Sequence, residues 1–256
     1  MSLYPMLQLF ETLKQGIRKR YNRQFGPYRD VVVVSYPKSG RTWLRVMLND
    51  LHIMPTYEHD GSQNPLNIPY WELPENKSHY HRRRIVFMVR DPRDTVVSAY
   101  FQLTKRHESF NGTISDFIRD DRYGIKKILK FHEIWNKNSH VPAGFKLIKY
   151  EDMHKDPLSV MKDLLGFLRV KKLDEDKLQR IIQFYQFRNM HKLEKQGYFK
   201  KSFKGVLSPK DVNDGESFKT RKGKVGGFYE YFSDDDIEFC NKVMKEFPNP
   251  FYGDAV

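Results

Sequence analysis

Residues 31–43, VVVVSYPKSGRTW, constrain the fold of this chain more than any other stretch. Four consecutive β-branched residues bounded by turn signals read as a strand buried on both faces, as in a parallel sheet covered by helices. The polar turn that follows then lies at the carboxyl edge of the sheet, where open α/β sheets bind ligands. From Ser39 the chain can turn helical, and Gly40 lets backbone approach a ligand closely. Free amides and the helix dipole therefore favour an anion there, with the charge of Lys38 at the mouth. The nucleotide-loop pattern GxxxxGK(S/T) is absent, because the lysine precedes the serine and glycine and the spacing is compressed. Ser39, Thr42 and Trp43 at these spacings favour an anion cradle over an ordinary strand and turn.

With 256 residues the chain can bury one substantial core, and no linker divides it. Lys and Arg exceed Asp and Glu by 45 to 32, and the net charge of +13 favours acidic partners. Nucleic acid, anionic lipid and a phosphorylated small molecule all satisfy that charge. The lone Cys240 excludes an internal disulfide framework and a cysteine-based zinc site. There is no apolar run of transmembrane length and no secretory pattern at the start, so a cytoplasmic protein is expected. Residues 1–30 read as a basic helical extension packed on the domain. Leu3, Met6, Leu7 and Phe10 give its apolar side, and Arg18, Lys19, Arg20 and Arg23 its basic end. Peripheral contact with a membrane surface is the alternative for this segment.

The first pattern is repeated. RIVFMVRDPRDTVVSAYFQ (84–102) runs as a strand through Val89, then charges, then a helix with Pro92 in its first turn. Further helices are expected over 41–51, 113–121, 124–137, from Asp156 and Pro157 through Leu168, over 174–196, and after the Ser233/Asp236 capping box. A short polar strand is expected within 55–63 and another over FKLIKYEDM (145–153). Strands alternating with helices give a single α/β domain, 31–256, with a central parallel β-sheet flanked by helices.

Two more anion candidates accompany the cradle. Arg90 ends the second strand, and Ser98 lies eight residues on, inside the helix. Taken singly, each has a plainer reading, a surface ion pair with Asp91 or Asp94 for the arginine and a solvent-facing hydroxyl for the serine. RKGKVGGF (221–228) sets three cations and three glycines within seven residues, a loop able to fold over a phosphate, although such composition usually marks a solvated loop.

Together the three stretches resemble the cytosolic-type sulfotransferase family, which uses 3′-phosphoadenosine 5′-phosphosulfate (PAPS). YPKSGRTW resembles its 5′-phosphosulfate loop YPKSGTTW, RDPRDTVVS its 3′-phosphate motif, and RKGKVGGF its RKGxxGxW motif with Phe228 in place of tryptophan. YEDM (150–153) followed by a Pro-started helix also matches. The resemblance implies a P-loop NTPase-like fold and metal-free, in-line transfer of a sulfonyl group to a hydroxyl or amine.

It further implies that Lys38 contacts the leaving group, that Ser39, Gly40, Arg41 and Thr42 hold the 5′-phosphate, and that Trp43 stacks near adenine. Arg90, Ser98, Arg221, Lys222 and Gly223 would hold the 3′-phosphate, with Tyr150 and Phe187 near the adenine. The general base, a histidine in a K-T-H run of the family, falls on His59 or His79. His79 sits in the better letter match, KSH, but leaves only five residues before the strand at Arg84. His59 follows a strand-like run and is favoured. Arg41 stands where the family has threonine and Tyr57 where it has the K-T-H lysine, which suggests that Arg41 replaces that charge.

The acceptor is expected to be a small molecule or glycan, bound by the segments 60–80, 100–110 and 197–220; Tyr70 and Trp71 read equally as pocket wall or as ordinary partly buried loop aromatics. No nucleic acid or integral membrane partner is implied, and the oligomeric state is open because the family's KxxxTVxxxE motif is not visible. A nucleotide-dependent kinase would need a lysine after the glycine and a Mg²⁺ site. A basic binding module would leave the three anion motifs unexplained.

Overall fold

The computed structural model describes residues 26–60, 68–199, 207–247 and 249–252. Four parallel strands form the sheet, in the order β2-β1-β3-β4. They are β1 (Val31–Ser35), β2 (Thr56–Glu58), β3 (Arg84–Val89) and β4 (Gly144–Lys149). Val31 pairs with Arg84 and Val34 with Phe87, while Arg84 pairs with Gly144, so β3 runs between β1 and β4. Consecutive side chains alternate faces. Val32, Val34, Ile85, Phe87 and Val89 enter one core, and Val31, Val33, Val86 and Met88 the other. The valine run is thus buried on both sides, as a helix-covered parallel strand should be.

Helices cover both faces. On one lie α1 (Arg41–Asp50), with Leu44, Met47 and Leu48 buried, and the later helices carrying Leu164 and Leu178. On the other lie α2 (Pro92–Phe101), α3 (Ile114–Arg119) and α4 (Ile125–Lys137), together with the last helix. A short α5 (Tyr150–Lys155) follows β4, and α6 (Pro157–Phe167) follows Asp156, whose carboxylate accepts from the Ser159 amide. Then come α7 (Glu175–Phe184), α8 (Phe187–Lys195) and α9 (Asp234–Glu246), the last begun by the Ser233/Asp236 capping box.

Three sequence expectations need correction. FKLIKYEDM is not strand throughout. The strand ends at Lys149 and Tyr150 starts α5, because the chain leaves the sheet edge there. The helix expected over 174–196 breaks at Tyr185 and Gln186. The Tyr185 hydroxyl donates to Asp50 at 2.8 Å and its carbonyl accepts from Trp43 Nε1 at 2.7 Å, while Gln186 is extended. The restarted helix opens with Phe187. The expected strand within 55–63 shrinks to Thr56–Glu58. Residues 1–25 of the N-terminal extension lie outside the described residues, as do 61–67 of the segment 60–80 and 200–206 of the segment 197–220. Among the described residues no helix is long and apolar enough to cross a membrane.

Candidate active site

The turn after β1 carries two left-handed residues, Lys38 (φ 73°) and Gly40 (φ 88°). At Gly40 a Cβ would stand 2.4 Å from the Tyr150 ring, so only glycine fits that close approach. The strain of a left-handed lysine at a strand-to-helix turn is a mark of functional loops. Lys38 Nζ donates to Gln102 Oε1 at 3.1 Å, next to the end of α2. Helix α1 then starts without a side-chain cap, which leaves its first amides and its positive dipole end for another acceptor. The Ser39 hydroxyl is buried with no hydrogen-bond partner among the described residues.

Arg90, at the end of β3, is buried rather than a surface residue. Its guanidinium lies 4.5 Å from the centre of the Tyr150 ring, donates to the Lys224 carbonyl at 3.1 Å, and stands 3.6 Å from Asp94. Asp94 also accepts from the Gly226 amide at 2.9 Å and the Phe228 amide at 3.0 Å. One buried carboxylate on α2 therefore ties the loop after Thr220 to the end of β3. In that loop Gly223 is left-handed (φ 58°), and a Cβ on it would come within 1.9 Å of the Phe187 ring. Arg221 is held by Glu216 at 2.9 Å and packs over Phe101 and Tyr231. The Nε atoms of Arg90 and Arg221 are buried without a partner among the described residues. Lys222 is more exposed and pairs with Glu230. Phe228, at the motif's tryptophan position, packs under Arg93, 4.5 Å away, and belongs to the core.

His59 follows β2. Its Nδ1 donates to the Ser35 carbonyl at 2.8 Å, which fixes the tautomer and leaves the lone pair on Nε2. Arg41 Nη2 donates to that Nε2 at 2.6 Å, and Arg41 Nη1 to the Glu58 carbonyl. Burial and then the Arg41 charge hold His59 down at about 3, so the imidazole is neutral throughout the physiological range. His79 is exposed and stacks on Tyr80, away from this site.

These groups meet around one cavity of about 410 Å³. Of the residues singled out in the sequence, Lys38, Gly40, Arg41, Thr42, Trp43, His59, Arg90, Ser98, Tyr150, Phe187, Arg221, Lys222 and Gly223 line it, and Ser39 sits behind the wall. Lys219 and Thr220 line it too. They end the segment 197–220 expected to form the pocket, but neither was singled out, although they directly precede the RKG run. The amides of Lys219 and Thr220 each donate at 2.8 Å to Glu194, a fully buried carboxylate on α8. Burial, with Lys219 and Arg106 nearby, pushes Lys38 well below the usual lysine range. Burial, with Arg106 and Arg41, brings Lys219 to about 8. A pocket this crowded with cations is built to receive an anion.

The chain matches the sulfotransferase domain family over residues 67–249. It belongs to that family. The matched span begins after β1, Lys38 and His59, so the site assignments there rest on the geometry above. Among curated relatives, flavonol 3-sulfotransferase of Flaveria bidentis is 27% identical over 264 residues, covering 85% of this chain and 81% of the relative. Sulfotransferase 2A1 of Rattus norvegicus is 24% identical over 278 residues, covering 93% and 90%. The fold is similar to a retinol dehydratase solved with androsterone and the inactive cofactor PAP, at a TM-score of 0.62 and 19% identity over 90% of this chain and 83% of that one. It is also similar to mouse sulfotransferase SULT7A1 complexed with PAP, at a TM-score of 0.60 and 19% identity over 88% and 85%.

The segments expected to bind the acceptor of this sulfotransferase fall unevenly. Gln102, Leu103, His107 and Ser109 of 100–110 and Leu207, Lys219 and Thr220 of 197–220 line the cavity, but no described residue of 68–80 does. Tyr70 packs instead on Trp71 and Phe247, and Trp71 is exposed. The start of the described part, Ile68, is tied to the cavity wall through its carbonyl, which accepts from Lys127 of α4 at 2.9 Å.

Proposed function

We propose that the cavity binds PAPS between the β1 turn and the Arg90/Arg221 pair, and that the enzyme transfers its sulfonyl group to a hydroxyl or amine of a small-molecule or glycan acceptor. The observation that carries the reading is the convergence of Lys38, Arg90 and Arg221, from three distant stretches, on one cavity. The chemistry of the wall fits a ligand with anions at both ends. Buried guanidinium nitrogens and a buried serine hydroxyl without partners stand near a helix N-terminus, and two close-packed glycines let backbone approach.

When bound, PAPS supplies the sulfonyl group and leaves as adenosine 3′,5′-bisphosphate. Thr42, with the amides at the start of α1, and Ser39 behind them would hold the 5′-phosphate, while Arg90, Ser98, Arg221, Lys222 and the Gly223 backbone hold the 3′-phosphate. Trp43, Tyr150 and Phe187 flank the base between them. Trp43 is fixed by its bond to the Tyr185 carbonyl, and Tyr150 by the Arg90 guanidinium. Lys38 exchanges Gln102 for the anion and stabilises charge on the departing oxygen, a contribution on the order of 3 kcal/mol for one preorganised donor. His59, neutral and fixed by Ser35, accepts the acceptor's proton on Nε2. His107, Ser109, Phe117 and Tyr123 line further wall available to the acceptor.

The test is incubation of a metabolite extract with enzyme and PAPS, read by mass spectrometry. The reading predicts products heavier by one SO₃ that appear only with PAPS. Phosphorylated products formed only with ATP would overturn it.

A further inference from the structure

Arg41 interrupts the simplest account of the base. The nitrogen of His59 that must receive a proton is the one to which Arg41 Nη2 donates, at 2.6 Å, since Nδ1 is committed to Ser35. The other Arg41 donor goes to the Glu58 carbonyl. No described carboxylate forms an ion pair with Arg41. The Glu58 carboxylate accepts from the Tyr80 hydroxyl at 2.7 Å, and Asp60 is taken by Lys77 and the Trp135 indole. The charged or titratable groups acting on this pair include Arg45 from α1, Tyr57 and Glu58 from β2, both of which favour the Arg41 charge without an ion pair, and Lys219 from the late loop. The hydrogen bonds of this half-buried guanidinium therefore go to a neutral imidazole and a carbonyl, both weaker partners for it than an anion.

Resting on the PAPS reading, we infer that Arg41 is a latch on the base. In the free enzyme it occupies the Nε2 lone pair of His59, and the phosphosulfate end of the donor draws it away, so that His59 can take a proton only once the donor is in place. Arg41 is the first residue of α1, directly after the Gly40 turn, so it needs only to redirect its side chain toward a group held at that helix start. The donor can drive the change because it interacts differently with the two positions of a charged guanidinium. Once the lone pair is released, the acceptor oxygen attacks sulfur as its proton passes to Nε2. The bond from sulfur to the phosphate oxygen breaks, and the bisphosphate leaves with that electron pair. Arg41 is a positioning residue here, and the latch imposes an order in which the donor binds before the base is competent.

The test follows the His59 imidazole by NMR titration, in wild type and in Arg41→Thr, with and without PAPS and with no acceptor present. Thermal unfolding of the same samples reports donor binding. In wild type the latch predicts an upward shift of the His59 midpoint by roughly one pH unit or more on adding PAPS. In folded Arg41→Thr the midpoint is already raised without PAPS, and PAPS moves it less. In kinetics, the acid limb of kcat in wild type lies at higher pH than that of kcat/KM, and the two limbs draw together in the variant. If PAPS stabilises wild type while its His59 titration stays where it was, the latch is wrong and the donor site stands. If PAPS gives no stabilisation, the donor assignment falls and the latch with it.

Discussion

Arg90 is the residue on which the donor site turns. It is buried, stacked on Tyr150, and joined to the late loop through Lys224 and Asp94. Its Nε is buried without a partner among the described residues, which leaves capacity for a phosphate oxygen. A hydrogen bond to a charged group contributes about 1.5–3 kcal/mol. Arg90→Ala is therefore expected to weaken adenosine 3′,5′-bisphosphate about tenfold to a hundredfold, measured by calorimetry. Gly223→Ala should act by a different route. The added methyl would meet the Phe187 ring in a left-handed backbone, so donor affinity should fall although no charge is lost. An unchanged dissociation constant in that variant would remove Gly223 from the site. His59→Ala should leave binding intact and lower turnover by roughly 10² to 10⁴.

At the scale of elements, the docking of the loop 221–228 onto α2 depends on Asp94, which accepts from two loop amides while 2% exposed. Asp94→Ala would leave those amides without their acceptor, at about 1–3 kcal/mol each. The expected outcome is a lower unfolding midpoint together with weaker donor binding, although the carboxylate itself is assigned no ligand contact. A loss confined to stability would show that the loop keeps its place without this anchor. Most of the elements were legible because their signals are local. The valine run, Pro92 after Asp91, and the Ser233/Asp236 box act within a few residues, and each produced the element expected of it. The break at Tyr185–Gln186 was not legible, since its cause lies far off in the chain, in Trp43 and Asp50. Lys219 was legible only as part of 197–220, since its own place in the wall depends on Glu194 from another helix. Tyr70 and Trp71 were open between two readings, because aromatics in a loop look alike whether they wall a pocket or pack elsewhere on the domain, and they do the latter.

For the whole molecule, the formal charge of +13 becomes meaningful through where part of it sits. Lys219, at about 8, is held below its ordinary 10.5 by burial first and by Arg106 and Arg41 second. Lys38 is also depressed, by burial first and by the neighbouring Lys219 and Arg106 second. A lysine depressed in the folded state opposes folding at low pH, and that penalty lifts as pH rises from about 8 toward 10.5. An anion in the cavity reverses the preference and favours the protonated lysines. Donor binding should therefore take up protons, and affinity should fall as pH climbs above about 8. Calorimetry at alkaline pH, in buffers of different ionisation heat, reads this directly. Proton release on binding would contradict it.

The central claim, that one cavity grips both ends of a PAPS-type donor, is tested most directly by thermal unfolding with adenosine 3′,5′-bisphosphate, adenosine 5′-phosphate and ATP in parallel. At a hundred times its dissociation constant a ligand stabilises by about 2.7 kcal/mol. The account predicts a clear rise in the unfolding midpoint with the bisphosphate, much less with adenosine 5′-phosphate, which lacks the group assigned to Arg90 and Arg221, and loss of the difference in Arg90→Ala. Stabilisation by ATP with none from the bisphosphate would contradict it.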